Sequence, residues 1–132
     1  MQGCEAYPRG MSDHEHHWGR EVQAGLAPLA RELRGEIPGV LAAFSELHKA
    51  AMADGALDVK TKELIALGIA ITEKCDGCIA AHARGAARAG ATRAEVAEAI
   101  GVTILMQGGP ATVYGPRALD AYDDFAGTPP SA

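Results

Sequence analysis

Eight consecutive apolar residues, Leu64-Ile65-Ala66-Leu67-Gly68-Ile69-Ala70-Ile71, constrain this chain more than any other feature. A helix that is apolar all round must be covered on every side, by the rest of its own fold or by a partner subunit. Asp58, just ahead of the run, is a good N-cap, so a helix is predicted to begin behind it. The run is far shorter than the about 20 residues a membrane span requires. Whatever covers it must be built from small side chains, because 48% of the 132 residues are hydrophobic but only 5% aromatic. A core of Ala, Leu, Ile and Val favours closely packed helices over a β-sandwich. No segment alternates with period two for long enough to argue a strand, and no solenoid repeat is present.

Helical periodicity starts at Trp18, with Val22, Leu26, Leu29 and Leu33 on one face, and Gly35 marks its end. Pro38 suits the first turn of a second helix carrying Val40, Leu41, Phe44, Leu47 and Ala51, with Gly55 as its expected cap. After the apolar third helix the chain turns near residues 74–77. A fourth helix carries Ile79, Ala80, Ala83, Ala86 and Ala87 up to Gly90. Thr92 and Glu95 match a reciprocal capping box for a fifth helix with Val96, Ile100, Thr103 and Ile104. Gly108-Gly109-Pro110 breaks it, and a last helical segment over roughly 111–125 is expected to bend at Gly115-Pro116. The expected architecture is all-α, a single-domain bundle of about six helices over residues 18–126. Residues 1–17 and 127–132 read as disordered tails. His14, His16 and His17 in the first tail read as solvated rather than as a metal site.

A formal net charge of −5 and a pI near 5.5 exclude a broad nucleic-acid-binding surface. The first ten residues lack the apolar core of a secretory signal, so a cytoplasmic location is expected, away from any membrane. Three cysteines do not make a disulfide scaffold, and in a reducing compartment a close pair points to redox chemistry or metal binding.

That pair is Cys75-Asp76-Gly77-Cys78, with His82 one helical turn after Cys78. A cysteine in the first turn of a helix gains thiolate stabilisation from the free N–H groups there. Spacing of three residues brings the two sulfurs within disulfide reach, and His82 can act as base toward a thiol. Glu63 lies twelve residues before Cys75, roughly 18 Å away on a straight helix. If the fourth helix runs back antiparallel, the axial offset between Glu63 and His82 falls to roughly 8 Å, within reach of two side chains and a water. A relay then runs from Glu63 through His82 to the thiol pair. Cys75, Cys78 and His82 could alternatively hold a metal, although no fourth ligand has recognisable spacing. Haem attachment is excluded because Ile79 follows Cys78.

Glu63, Cys75, Cys78, His82 and the Gly90-Ala91-Thr92 turn together resemble the cysteine-containing branch of the carboxymuconolactone decarboxylase superfamily, which is similar to alkylhydroperoxidase D. Met106-Gln-Gly-Gly-Pro110 and Tyr114-Gly115 extend the likeness over about two-thirds of the chain. The resemblance implies a homo-trimer or homo-hexamer that reduces small-molecule hydroperoxides without metal or cofactor. Cys78 would be the peroxidatic cysteine, Cys75 its resolving partner, and Glu63 and His82 the proton relay. An external dithiol, a thioredoxin-like protein or a lipoyl group would restore the pair. One departure stands out: Gly77 occupies the position where alkylhydroperoxidase D proteins carry a second histidine. A decarboxylase that does not use the cysteines is the other activity in the superfamily. Cys78 is expected to be the more sheltered of the two sulfurs and Cys75 the one open to a reductant.

Overall fold

Stop and start signals in the sequence divide the chain into six helices, seen in a computed structural model that describes residues 17–127. They are α1 (Arg20–Glu36), α2 (Pro38–Met52), α3 (Val59–Thr72), α4 (Asp76–Arg88), α5 (Arg93–Gln107) and α6 (Gly109–Ala126), with no strand among the described residues. The all-α fold expected from the small-residue composition is the fold observed. Masses of sequence assigned to the two tails lie outside the described residues, except at their inner edges. There His17 donates its backbone N–H to Glu21 and its ring lies 3.6 Å from Asp120.

Local chemistry sets the boundaries. Asp58 caps α3 by accepting the Thr61 N–H at 2.8 Å. Hydrogen bonding from the Thr61 side chain, and next from its N–H, holds the Asp58 carboxyl below its ordinary value. Thr92 caps α5 by accepting the Glu95 N–H at 3.1 Å, but the box is not reciprocal. The Glu95 carboxylate instead meets Lys60 of α3 at 3.2 Å. Gly90, at φ +83°, closes α4, as its position in the sequence predicts. Gly55 is not the cap of α2, because that helix ends at Ala53 in extended backbone and Gly55 lies in the following bend. Gly108 separates α5 from α6 at φ +79°, and α6 then continues through Pro116 as one helix.

Leu67, Ile71, Ile79 and Val96 form the fully buried centre, packed among alanines of α4 and α6. Small residues set the spacing: a Cβ at Gly115 of α6 would lie 2.7 Å from Ile100 of α5, so the two helices cross in close contact. Tyr122 donates its hydroxyl to the Ala91 carbonyl at 2.6 Å, tying α6 to the α4–α5 turn. Helices α1 and α2 bury no residue completely. They leave Leu29, Leu33, Val40, Phe44 and Leu47 more than half exposed. The apolar run divides too: Leu67, Ala70 and Ile71 face the core, while Ile65 and Ile69 are 50% and 58% exposed. With α5 they line an open apolar groove of about 380 Å³. No helix among the described residues is long and apolar enough to cross a membrane.

Candidate active site

The reversal between α3 and α4 builds the site. It takes three residues, Glu73 to Cys75, with Lys74 at φ +54°. The Cys75 N–H donates to the Ala70 carbonyl at 3.1 Å. Cys75 becomes the N-cap of α4, and its Sγ accepts the Cys78 N–H at 3.2 Å. The two cysteines are joined in a disulfide, their Cα atoms 5.2 Å apart. Placing Cys75 at a helix start gives either sulfur, when reduced, the partial positive charge of the first turn.

Glu63 and His82 meet directly. His82 Nδ1 lies 2.8 Å from Glu63 Oε2, and the side chains are 22% and 9% exposed. The offset predicted from the sequence was too large because it extended the helix to Cys75. Counting from the real helix ends, Glu63 is level with Gly85, and His82 is one turn away, roughly 4.5 Å along the axis. Gly85 makes the room: a Cβ there would overlap the Glu63 carboxylate. With Glu63 ionised, Nδ1–H donates to it, and Nε2 is left as the basic nitrogen. His82 and Cys78 occupy neighbouring positions on one face of α4.

Accessibility runs opposite to the sequence expectation. Cys75 is half-buried and Cys78 exposed, because the reversal tucks the N-cap against the end of α3 while Cys78, in the first turn of α4, faces outward. Gly77 packs against α1, where a Cβ would come 2.9 Å from Leu26 Cδ1. The position that carries a histidine in alkylhydroperoxidase D proteins is therefore covered by an apolar side chain here. No three His, Cys, Asp or Glu side chains among the described residues are placed to share a metal ion, so Cys75, Cys78 and His82 do not form such a set.

The sequence reading passed over His48. Its ring stacks on that of His82, with centroids 6.3 Å apart and planes 19° from parallel. The available signal was its place on α2, between the half-buried Leu41 and Met52 on the face turned toward the rest of the fold.

An all-helical protein with a cysteine pair at a helix start and a Glu–His pair one turn behind it defines a recognisable class. The sequence profile of the carboxymuconolactone decarboxylase family matches residues 38–121, and the chain belongs to that family. A crystal structure of a carboxymuconolactone decarboxylase family protein from Legionella pneumophila, in its apo form, superposes with a TM-score of 0.77 at 39% identity. That match covers 80% of this chain and 95% of the other. An uncharacterized protein encoded in the cox locus of Paracoccus denitrificans is 44% identical over 64% of this chain and 77% of its own. An uncharacterized protein of Haemophilus influenzae is 47% identical over 69% of this chain and 80% of its own.

Proposed function

We propose that the protein is a thiol-dependent peroxidase or disulfide reductase working through Cys75 and Cys78. The observation that carries this reading is the Glu63–His82 hydrogen bond, one helical turn from a Cys-x-x-Cys pair already at disulfide distance. In the reduced protein His82 Nε2 takes the Cys78 proton, and Glu63 supports the resulting imidazolium. The Cys78 thiolate attacks the terminal oxygen of a hydroperoxide. The O–O bond breaks, an S–O bond forms, and the leaving alkoxide takes a proton to depart as an alcohol, or as water from hydrogen peroxide. The Cys75 thiol then displaces water from the Cys78 sulfenic acid and closes the disulfide. Because Cys78 is the exposed sulfur, an external dithiol attacks there. The electron pair passes to Cys75, whose sulfur accepts the Cys78 N–H. A second thiol from the same reductant releases the chain as the dithiol. No step requires a metal or cofactor.

The exposed apolar residues of α1, α2, α3 and α5 support assembly into a homo-oligomer, a trimer or hexamer as the family resemblance implies. Thiol titration tests the chemistry. One equivalent of an organic hydroperoxide should remove two of the three thiols of the reduced chain. Cys75→Ser should stall at a sulfenic acid on Cys78, trapped by dimedone. Unchanged thiol content in the wild type, or trapping at Cys75 in a Cys78→Ser protein, would overturn this assignment.

A further inference from the structure

Asp76, one of the two residues between the cysteines, is an ionic liability for a dithiol. Its carboxylate lies in the first turn of α4, where it draws on the same helix-end charge that favours a thiolate. It also repels any thiolate that forms beside it. The structure answers this with one residue from the far end of the chain. Arg117 of α6 places Nη1 3.1 Å from Asp76 Oδ1 and 3.2 Å from Oδ2. Its guanidinium carbon lies 3.9 Å from the centre of the Trp18 ring and 4.4 Å from that of Tyr114. Trp18 is itself anchored to α6, its backbone N–H donating to Asp120 at 2.8 Å. Two aromatic faces shield the cation from water and fix its direction, so its charge acts on Asp76 with less screening than an open surface pair would.

We propose that Arg117 is a positioning residue of the dithiol site: held between Trp18 and Tyr114, it neutralises Asp76 and thereby sets the thiol acidity and reduction potential of the Cys75–Cys78 pair. This deepens the redox reading above but rests only on the part of it in which the pair cycles between dithiol and disulfide. The elements around the pair also carry Glu46, His48 and Lys49 on α2, Lys60, Lys62 and Glu63 on α3, Glu73 and Lys74 in the reversal, and His82, Arg84 and Arg88 on α4. None of these makes a hydrogen bond to Asp76 like that of Arg117. Stabilising a thiolate favours the reduced pair, so removing Arg117 should make the disulfide harder to reduce.

Full-length Arg117→Gln, Asp76→Asn and the double variant are compared with wild type in two measurements. One is the pH profile of alkylation of the reduced pair in a Cys4→Ser background, which removes the third cysteine of the chain, outside the described residues. The other is the equilibrium constant of the pair against glutathione. Circular dichroism confirms that each variant is folded. Arg117→Gln should move the alkylation midpoint up by about one pH unit, a roughly tenfold loss of thiolate at neutral pH, and disfavour the dithiol by a similar factor. Asp76→Asn should move both quantities the opposite way. The double variant should lie with Asp76→Asn, because without the carboxylate there is nothing for Arg117 to offset. If Arg117→Gln does not fold, the Asp76→Asn shift alone decides. A midpoint and equilibrium constant unchanged in Arg117→Gln, a double variant no better than Arg117→Gln, or an Asp76→Asn shift in the wrong direction would each overturn the proposal. Hydroperoxide turnover is scored separately. A wild type inert to hydroperoxide that still shows the Arg117 shifts would sink the peroxidase reading and leave this inference standing.

Discussion

Gly85 is the residue on which the proposed relay depends without contributing an atom to it. The Glu63 carboxylate occupies the volume a Cβ would take at that position. In Gly85→Ala the movable partner is the end of the Glu63 side chain, not backbone, so the fold should persist while the carboxylate is pushed off His82. We expect Gly85→Ala to behave like Glu63→Gln, slowing hydroperoxide reduction by about a hundredfold, the usual order for losing a supported general base. Rapid-mixing kinetics on reduced protein would show it, with near-wild-type circular dichroism. Full activity in Gly85→Ala would mean that the Glu63–His82 contact is dispensable. Glu63 and His82 were both legible in the sequence as chemistry-bearing residues, but Gly85 was not. A glycine in a helix carries no mark of the side chain that will lie against it.

Among elements, α6 is the one that holds the others in register. It meets α5 at Gly115, the start of α4 through Arg117, the segment ahead of α1 through Asp120, and the α4–α5 turn through Tyr122. Burial raises the Tyr122 hydroxyl above its ordinary value, and the nearby Asp123 and Glu95 carboxylates add to the shift. The folded protein therefore keeps that proton at a pH where the unfolded chain has lost it. The stabilisation is fully present below about pH 10 and is lost as pH rises through the raised value. Tyr122→Phe removes the hydrogen bond to the Ala91 carbonyl and should cost about 1–2 kcal/mol at neutral pH. The wild-type advantage should then shrink as pH rises above about 10 in denaturant titrations of both proteins. A gap that stays constant with pH would show that Tyr122 does not titrate with unfolding.

At the scale of the whole molecule, the proposed assembly rests on the apolar surface that the protomer leaves uncovered. Ile65, Ile69, Val102, Leu105 and Met106 line or flank one groove, and Leu29, Leu33, Val40, Phe44 and Leu47 lie along the α1–α2 pair. Static light scattering at micromolar concentration should give a mass that is a multiple of 13.6 kDa. Ile69→Glu, in the groove but facing away from the core, should lower that mass without unfolding the chain, since Ile69 is 58% exposed in the protomer. A monomeric wild type would contradict the assembly, and an Ile69→Glu protein of unchanged mass would remove this groove from it.

The all-helical fold and nearly every helix boundary are legible in the amino-acid sequence, because those depend on local events. Asp58 and Thr92 cap from within their own first turns, Gly90 and Gly108 supply positive φ, and a core short of aromatic residues admits only close helix packing. The sequence also marks out the proposed reactive groups, since Cys78 and His82 lie one turn apart on α4, Cys75 caps that helix, and Glu63 falls opposite once the chain reverses. Tertiary packing settled what depends on contacts between distant segments. It exposed Cys78 rather than Cys75, turned Glu95 from its own helix to Lys60, brought His48 onto His82, and carried Arg117 across 41 residues to Asp76. Periodicity says which face of a helix is apolar. It does not say which neighbour that face will meet, and the charge around the dithiol is set by those neighbours.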